Sequence, residues 1–230
     1  ITRLGRAYNA VIPSSGKVLT GGVDAKIYAS LMIFSNKDRS YPIRGLVNDV
    51  PGVCYRTGPK GWMDHQVFVQ WLEEKRANPP DKNGRRKVIF MDNCSDHNDT
   101  NESVAALAKL NAEIRKLPAN ATDLCQPADS FIISKIKDIW RREWERKKID
   151  MIKDGLWSNE IRGDGQWSGK LKNPGKRYFL KLAAQAVAEV NEQRDELGMS
   201  YARKAMIKCG LSKDAVTGKW QESQLFDHLQ

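Results

Sequence analysis

The sequence predicts an α/β fold, a mixed sheet flanked by helices, with a mostly helical C-terminal extension. Three observations carry this. Short β-like runs come first, and helical periods then alternate with apolar strands. One of those strands, "KVIFMD" (87–92), ends abruptly on an acid. The 230 residues are 40% hydrophobic and include seven Trp, which allows one large domain or one domain with an appendage.

Each element follows from local pattern. Residues 1–25 are Gly-rich and mixed, and fit short strands or an extended arm better than a helix. "KIYASLMIFS" (26–35) is β-like and apolar. "NKDRS" makes a turn, "YPIRGLV" (41–47) reads as a returning strand, and "GVCYRTG" (52–58) as a third. The period then changes. Val67, Phe68, Trp71 and Leu72 share one helical face, Asp64 is the expected N-cap, and "NPPDKNG" ends the helix. A buried strand at 87–92 follows, then a helix at 100–112 capped by Thr100 or Asn101, and a strand at 113–119. A long helix is expected from near Asp129 to about Ile152. This order, hairpins first and then strand–helix alternation, is that of the ribonuclease H-like fold. From Gly155 the chain turns loop-like, with two Trp, before helices at about 175–196 and 199–209 and a short helical tail. The expected division is 1–153 and 154–230.

The net charge of +10 favours a polyanionic partner, nucleic acid before an acidic membrane surface. No apolar run reaches transmembrane length. Cys54, Cys94, Cys125 and Cys209 show no CxxC spacing, so a zinc knuckle is not expected and reduced thiols are. The chain opens on Ile1, which reads as a fragment with a segment upstream.

Asp92 sits where a ligand binds in an open α/β sheet, at the carboxyl end of a strand. Asp129 comes one helix and one strand later, where a loop meets a helix. Taken singly, a turn-closing acid and a helix N-cap explain the two better than catalysis does. Together, on a basic chain in this order, they suggest a cation site, because adjoining carboxylates repel unless neutralised. Oxygen ligands favour Mg²⁺ or Mn²⁺, which serve phosphodiester chemistry.

"VIFMDNCSDH" followed by "IRKLPANATDLCQPADSFIISKIK" resembles the DDE-type endonuclease domain of the pogo, Tigger and jerky transposases, relatives of centromere protein B. Asp92, Asn93 and His97 carry it, with Leu117, Pro118, Asn120, Thr122, Gln126, Pro127 and Asp129. "KGWMDHQVFVQWL" (60–72) adds to it, and the resemblance covers roughly residues 26–145. It implies a ribonuclease H-like fold and three acidic metal ligands, with Asp92 second and Asp129 third. Asn93, His97 and Gln126 would support them. The first acid is expected upstream of Ile1, on a strand missing from this chain, with Asp24 as the substitute within it. The function implied is metal-dependent DNA cleavage and strand transfer in the complete protein, in the nucleus, with homo-oligomerisation allowed. The alternative is a domesticated domain that binds DNA or protein without catalysis.

Two basic stretches complete the reading. The long helix carries Lys135, Lys137, Arg141, Arg142 and Arg146, candidates for DNA phosphates, interleaved with acids. Ile132, Ile136, Trp140 and Trp144 form an i, i+4 stripe expected to be core. "GKLKNPGKR" (169–177), below Trp157 and Trp167, pairs basic residues with aromatics that stack on bases or pack a loop.

Overall fold

The computed structural model describes residues 6–8, 11–12, 25–80, 84–91, 100–118 and 126–212; of 6–8, 11–12, 129 and 130 it describes the backbone alone. Its strands are β1 (Arg6–Tyr8), β2 (Val11–Ile12), β3 (Lys26–Ile27), β4 (Ser30–Ser35), β5 (Val53–Gly58), β6 (Lys87–Met91) and β7 (Ala112–Lys116). Its helices are α1 (His65–Glu73), α2 (Asn101–Leu110), a π-helical turn (Ala128–Ile132), α3 (Ile133–Lys153), α4 (Lys176–Glu192) and α5 (Tyr201–Lys208).

β4 is apolar on both faces, and the layering follows from that. Leu31 and Ile33 join Cys54 of β5 in a core with α1 and α2. Met32 and Phe34 point the other way, and with Val53 and Tyr55 they meet Phe179, Leu180, Leu182 and Ala183 of α4. Strand side chains alternate between faces, so a strand buried on both sides requires helices on both sides. The result is the mixed α/β, ribonuclease H-like arrangement the sequence predicts. β1 pairs antiparallel with β4, β4 parallel with β5, β2 antiparallel with β3, and β6 parallel with β7 through α2.

Three strand expectations are corrected. Residues 41–47 form no strand. The Leu46 amide donates to Ile43 O, and the Tyr55 hydroxyl accepts from Ile43 N (3.0 Å) and donates to Leu46 O (2.6 Å). Pro42 lacks a donor and Gly45 takes φ +75°, which breaks an extended run. β4 and β5 are consequently not hairpin arms. They run parallel, joined by the loop 36–52, whose Leu46 and Val50 fill the α4 side of the core. Thirdly, β6 is only half covered: Ile89 is buried, Val88 half-buried and Phe90 exposed. Among the described residues, the α4 core cluster takes in β4 and β5 and includes no residue of β6.

The helix caps follow the sequence closely. Asp64 caps α1 by accepting from Val67 N, and Arg39 holds its carboxylate at 2.9 Å. Thr100 caps α2 in a reciprocal capping box with Ser103.

The segment expected as an extension supplies the second helical layer. α4 lies against α3, with Phe179 stacked on Trp140 (6.1 Å) and tilted against Trp144 (5.3 Å). The aromatic half of the Ile132–Trp144 stripe therefore packs on α4, as core. Further along, Asn191 accepts from Ile27 N (2.8 Å) and donates to Ile27 O (2.9 Å). Ser200 accepts from Ala25 N and donates to Ala25 O. The C-terminal helices thus hold β3 by its backbone, beside Ile132 of the π-helical turn. Among the described residues, no helix is long and apolar enough to cross a membrane.

Candidate functional site

The sequence-predicted acids belong to two places, the end of a parallel strand pair and a helix start. β6 and β7 run in register from Lys87↔Ala112 to Met91↔Lys116, and the Leu117 amide extends the ladder to Met91 O at 2.7 Å. Asp92 is the next residue in sequence after Met91, the last of β6. The carboxyl ends of strands are where α/β sheets bind ligands. Asp92, Asn93 and His97 themselves lie outside the described residues. On the far side of that segment the Thr100 hydroxyl meets His65 Nε2 at 2.9 Å, which ties the start of α2 to α1.

Asp129 stands in the π-helical turn Ala128–Ile132, directly ahead of α3. Its side chain lies outside the described atoms, so the site is defined by its backbone. The turn is anchored by Ile132, which is fully buried, and by the buried Pro127. A π-helical turn gives up regular i→i−4 bonding and is frequent at functional sites. Immediately before it, the Gln126 side-chain oxygen is buried and finds no hydrogen-bond partner among the described residues.

Carboxylates such as those of Asp92 and Asp129 are oxygen donors of the kind that hard divalent cations take. Among the described residues, no group of three His, Cys, Asp or Glu could hold a metal. Burial pushes the Cys54 thiol up to about 12 and keeps it protonated.

The expected DNA-contacting residues on α3 are accounted for individually. Lys137 is exposed, and Lys135 lies over the Tyr201 ring at 4.9 Å. Arg141 pairs with Asp138, Arg146 with Glu143, and Arg142 with both Glu143 and Glu189 of α4. Hydrogen bonding from Arg142 holds the Glu143 carboxyl below its ordinary range. Sequence reading missed that residues 156–172 form a hairpin, with bridges Trp157↔Leu171 and Ile161↔Trp167. The signal was present, since Asp164-Gly165 between apolar residues marks a tight turn.

The described residues thus give a parallel β6–β7 pair that ends one residue before Asp92 in sequence, and a π-helical turn whose backbone includes Asp129. Residues 29–194 match the DDE superfamily endonuclease family, and the chain belongs to it. The match continues past α3 through α4.

Curated relatives cover a smaller part of the chain. Transcription termination factor Rho 1 of Ehrlichia chaffeensis is 37% identical over 107 residues, 40% of this chain and 25% of that protein. Rho of Pseudomonas aeruginosa is 44% identical over 91 residues, 39% of this chain and 21% of that protein. Rho of Cereibacter sphaeroides is 33% identical over 153 residues, 60% of this chain and 33% of that protein. The chain therefore spans between a fifth and a third of the length of these relatives. No solved structure matches it.

Proposed function

We propose that this domain is the catalytic core of a pogo/Tigger/jerky-type transposase, cutting and joining DNA strands with Mg²⁺ or Mn²⁺. The observation that carries the reading is the family match over 29–194, combined with an acid directly after β6 and another in the π-helical turn. In this reading Asp92 and Asp129 hold the metal. A divalent cation held there would supply activation of a water or a 3′-hydroxyl and charge stabilisation of the leaving oxygen. The chain's own residues do the positioning. The β6–β7 ladder fixes the approach to Asp92, and Asn93 and His97 orient its carboxylate or meet the phosphate. Gln126 and Pro127 shape the loop that presents Asp129. A third carboxylate precedes β4 in the family's layout. A protein of this kind works on chromosomal DNA, which gives a nuclear location. What the Rho proteins do in terminating transcription is not carried over, since the similarity spans a third of their length or less.

The test is plasmid nicking by the complete parent protein in Mg²⁺ or Mn²⁺, with Mn²⁺ binding followed by calorimetry. Asp92→Ala and Asp129→Ala should each lower nicking by more than about 100-fold and weaken Mn²⁺ binding, since even outer-shell changes cost 10–100-fold. Unchanged nicking in Asp92→Ala sinks the ligand assignment. DNA binding by the unaltered protein without metal-dependent nicking supports the domesticated, non-catalytic alternative.

A further inference from the structure

The hairpin 156–172 projects between α3 and α4 and packs little of itself against the core. Leu156 and Trp157 are each 38% exposed, Trp167 54% and Ile161 66%. The hairpin is nonetheless ordered by its own bonds: Ser158 N to Lys170 O, Ser168 N to Glu160 O, and Lys172 N to Leu156 O, at 2.8–2.9 Å. The Trp167 indole N–H donates to Ser158 O at 2.8 Å, and the two indoles meet edge to face at 5.5 Å. With the indole donor of Trp167 satisfied, what this tip offers a partner is apolar and aromatic surface, together with charge.

The charge is one-sided on the C-terminal flank. Between Asp164 and Glu189 there is no acid, while Lys170, Lys172, Lys176, Arg177 and Lys181 are all basic. Lys170 pairs with Glu160, and Arg177 with Asp49. Among the described residues Lys172 and Lys181 make no ion pair, and both are exposed. Two partly exposed indoles and two aliphatic side chains offer on the order of 400 Å², about half of the ~800 Å² a side that a standard protein interface buries. Aromatic surface beside free cations fits single strands, where each base stacks on a ring and phosphates follow the basic groove.

We propose that the 156–172 hairpin and its basic flank form a second DNA contact that stacks on unpaired bases, away from the metal site. This rests on the reading of DNA as substrate. α3 has 21 residues and separates the Asp129 turn from the hairpin. At 1.5 Å per residue that is about 30 Å, or roughly nine nucleotides at 3.4 Å each. The contact therefore engages unpaired DNA flanking the point of cleavage, not the scissile phosphate.

The experiment uses the whole chain with a labelled 20-nucleotide single strand and the matching blunt duplex, read by fluorescence anisotropy. The variants are Trp157→Ala/Trp167→Ala, Trp157→Phe/Trp167→Phe and Lys172→Ala/Lys181→Ala. The double Ala variant should lose about tenfold or more on the single strand, the stacking loss expected per base, and little on the duplex. The double Phe variant should retain most of the binding, and unchanged thermal melting shows that the fold survives. Lys172→Ala/Lys181→Ala should flatten the salt dependence. Single-strand affinity untouched by the Ala pair, or equal losses on both DNAs, overturns the stacking role. Tight duplex binding with no single-strand binding by the unaltered protein also overturns it, while leaving DNA as substrate. Binding to neither DNA overturns both readings.

Discussion

The two basic surfaces sit on one helix pair, yet they differ in what their charges do. On α3, Arg141, Arg142, Arg146 and Lys148 each face a carboxylate of the same helix, and Arg142 also reaches α4. On the stretch from Gly165 to Ala188 there is no acid to answer the cations, and partners come from elsewhere or not at all. Counting Lys and Arg treats the surfaces as alike. Pairing separates them: the α3 arginines sit in exchangeable ion pairs, while on the second surface Lys172 and Lys181 have no ion pair among the described residues. Exposed pairs contribute only about 0–1 kcal/mol, so phosphate can compete for the α3 arginines, but with less net gain than at Lys172 or Lys181.

The largest expected effect removes the platform both surfaces share. Phe179 is buried between Trp140, Trp144 and Tyr178, and Phe179→Ala should cost about 3–5 kcal/mol in urea denaturation. If α3 and α4 packed independently, the loss would be small and the two surfaces would not be coupled. Next comes the salt test. Lys172→Ala/Lys181→Ala should lower the slope of log affinity against log salt by about 2, and Arg141→Ala/Arg146→Ala by under about 1. Equal slopes would erase the distinction drawn here.

The smallest effect is acid sensitivity. Hydrogen bonds from Arg142 lower the Glu143 carboxyl, and those from Arg177 lower Asp49. A depressed folded-state pKa gives stability that is present above the ordinary values of 4.5 and 3.8 and is lost as pH falls through the folded values. Thermal melting should therefore hold from pH 7 to about 5 and decline below. Glu143→Gln should flatten the upper part of that decline and Asp49→Asn the lower part. Asp49 is exposed, and the arginines that pair with Glu143 reach solvent, so the changes are modest; a decline identical in both variants would assign it to other carboxylates.

Much of the fold was legible because it is local. The 3.6-residue spacing of Val67, Phe68, Trp71 and Leu72, with Asp64 before it, marks α1 whatever surrounds it. Thr100 and the apolar run of 87–91 are equally self-sufficient. For the site, sequence located the strand end that leads to Asp92 and the helix start that holds Asp129. It did not show the π-helical form of that start, which depends on how Ile132 and Pro127 are buried.

What the sequence by itself determined is the helices at 65–73, 101–110, 133–153, 176–192 and 201–208, the strands at 30–35, 53–58, 87–91 and 112–116, the family resemblance and the overall positive charge. These depend on neighbours within a few residues. The expected helical tail lies outside the described residues. Only the tertiary structure decided that β4 and β5 run parallel, that Asn191 and Ser200 clasp residues 25–27, and that segment 176–192 forms a face of the core. It also decided which cations are neutralised. Strand direction, clasp and ion pairing each join residues far apart in the chain, and burial and distance set their energies, neither of which a local pattern contains.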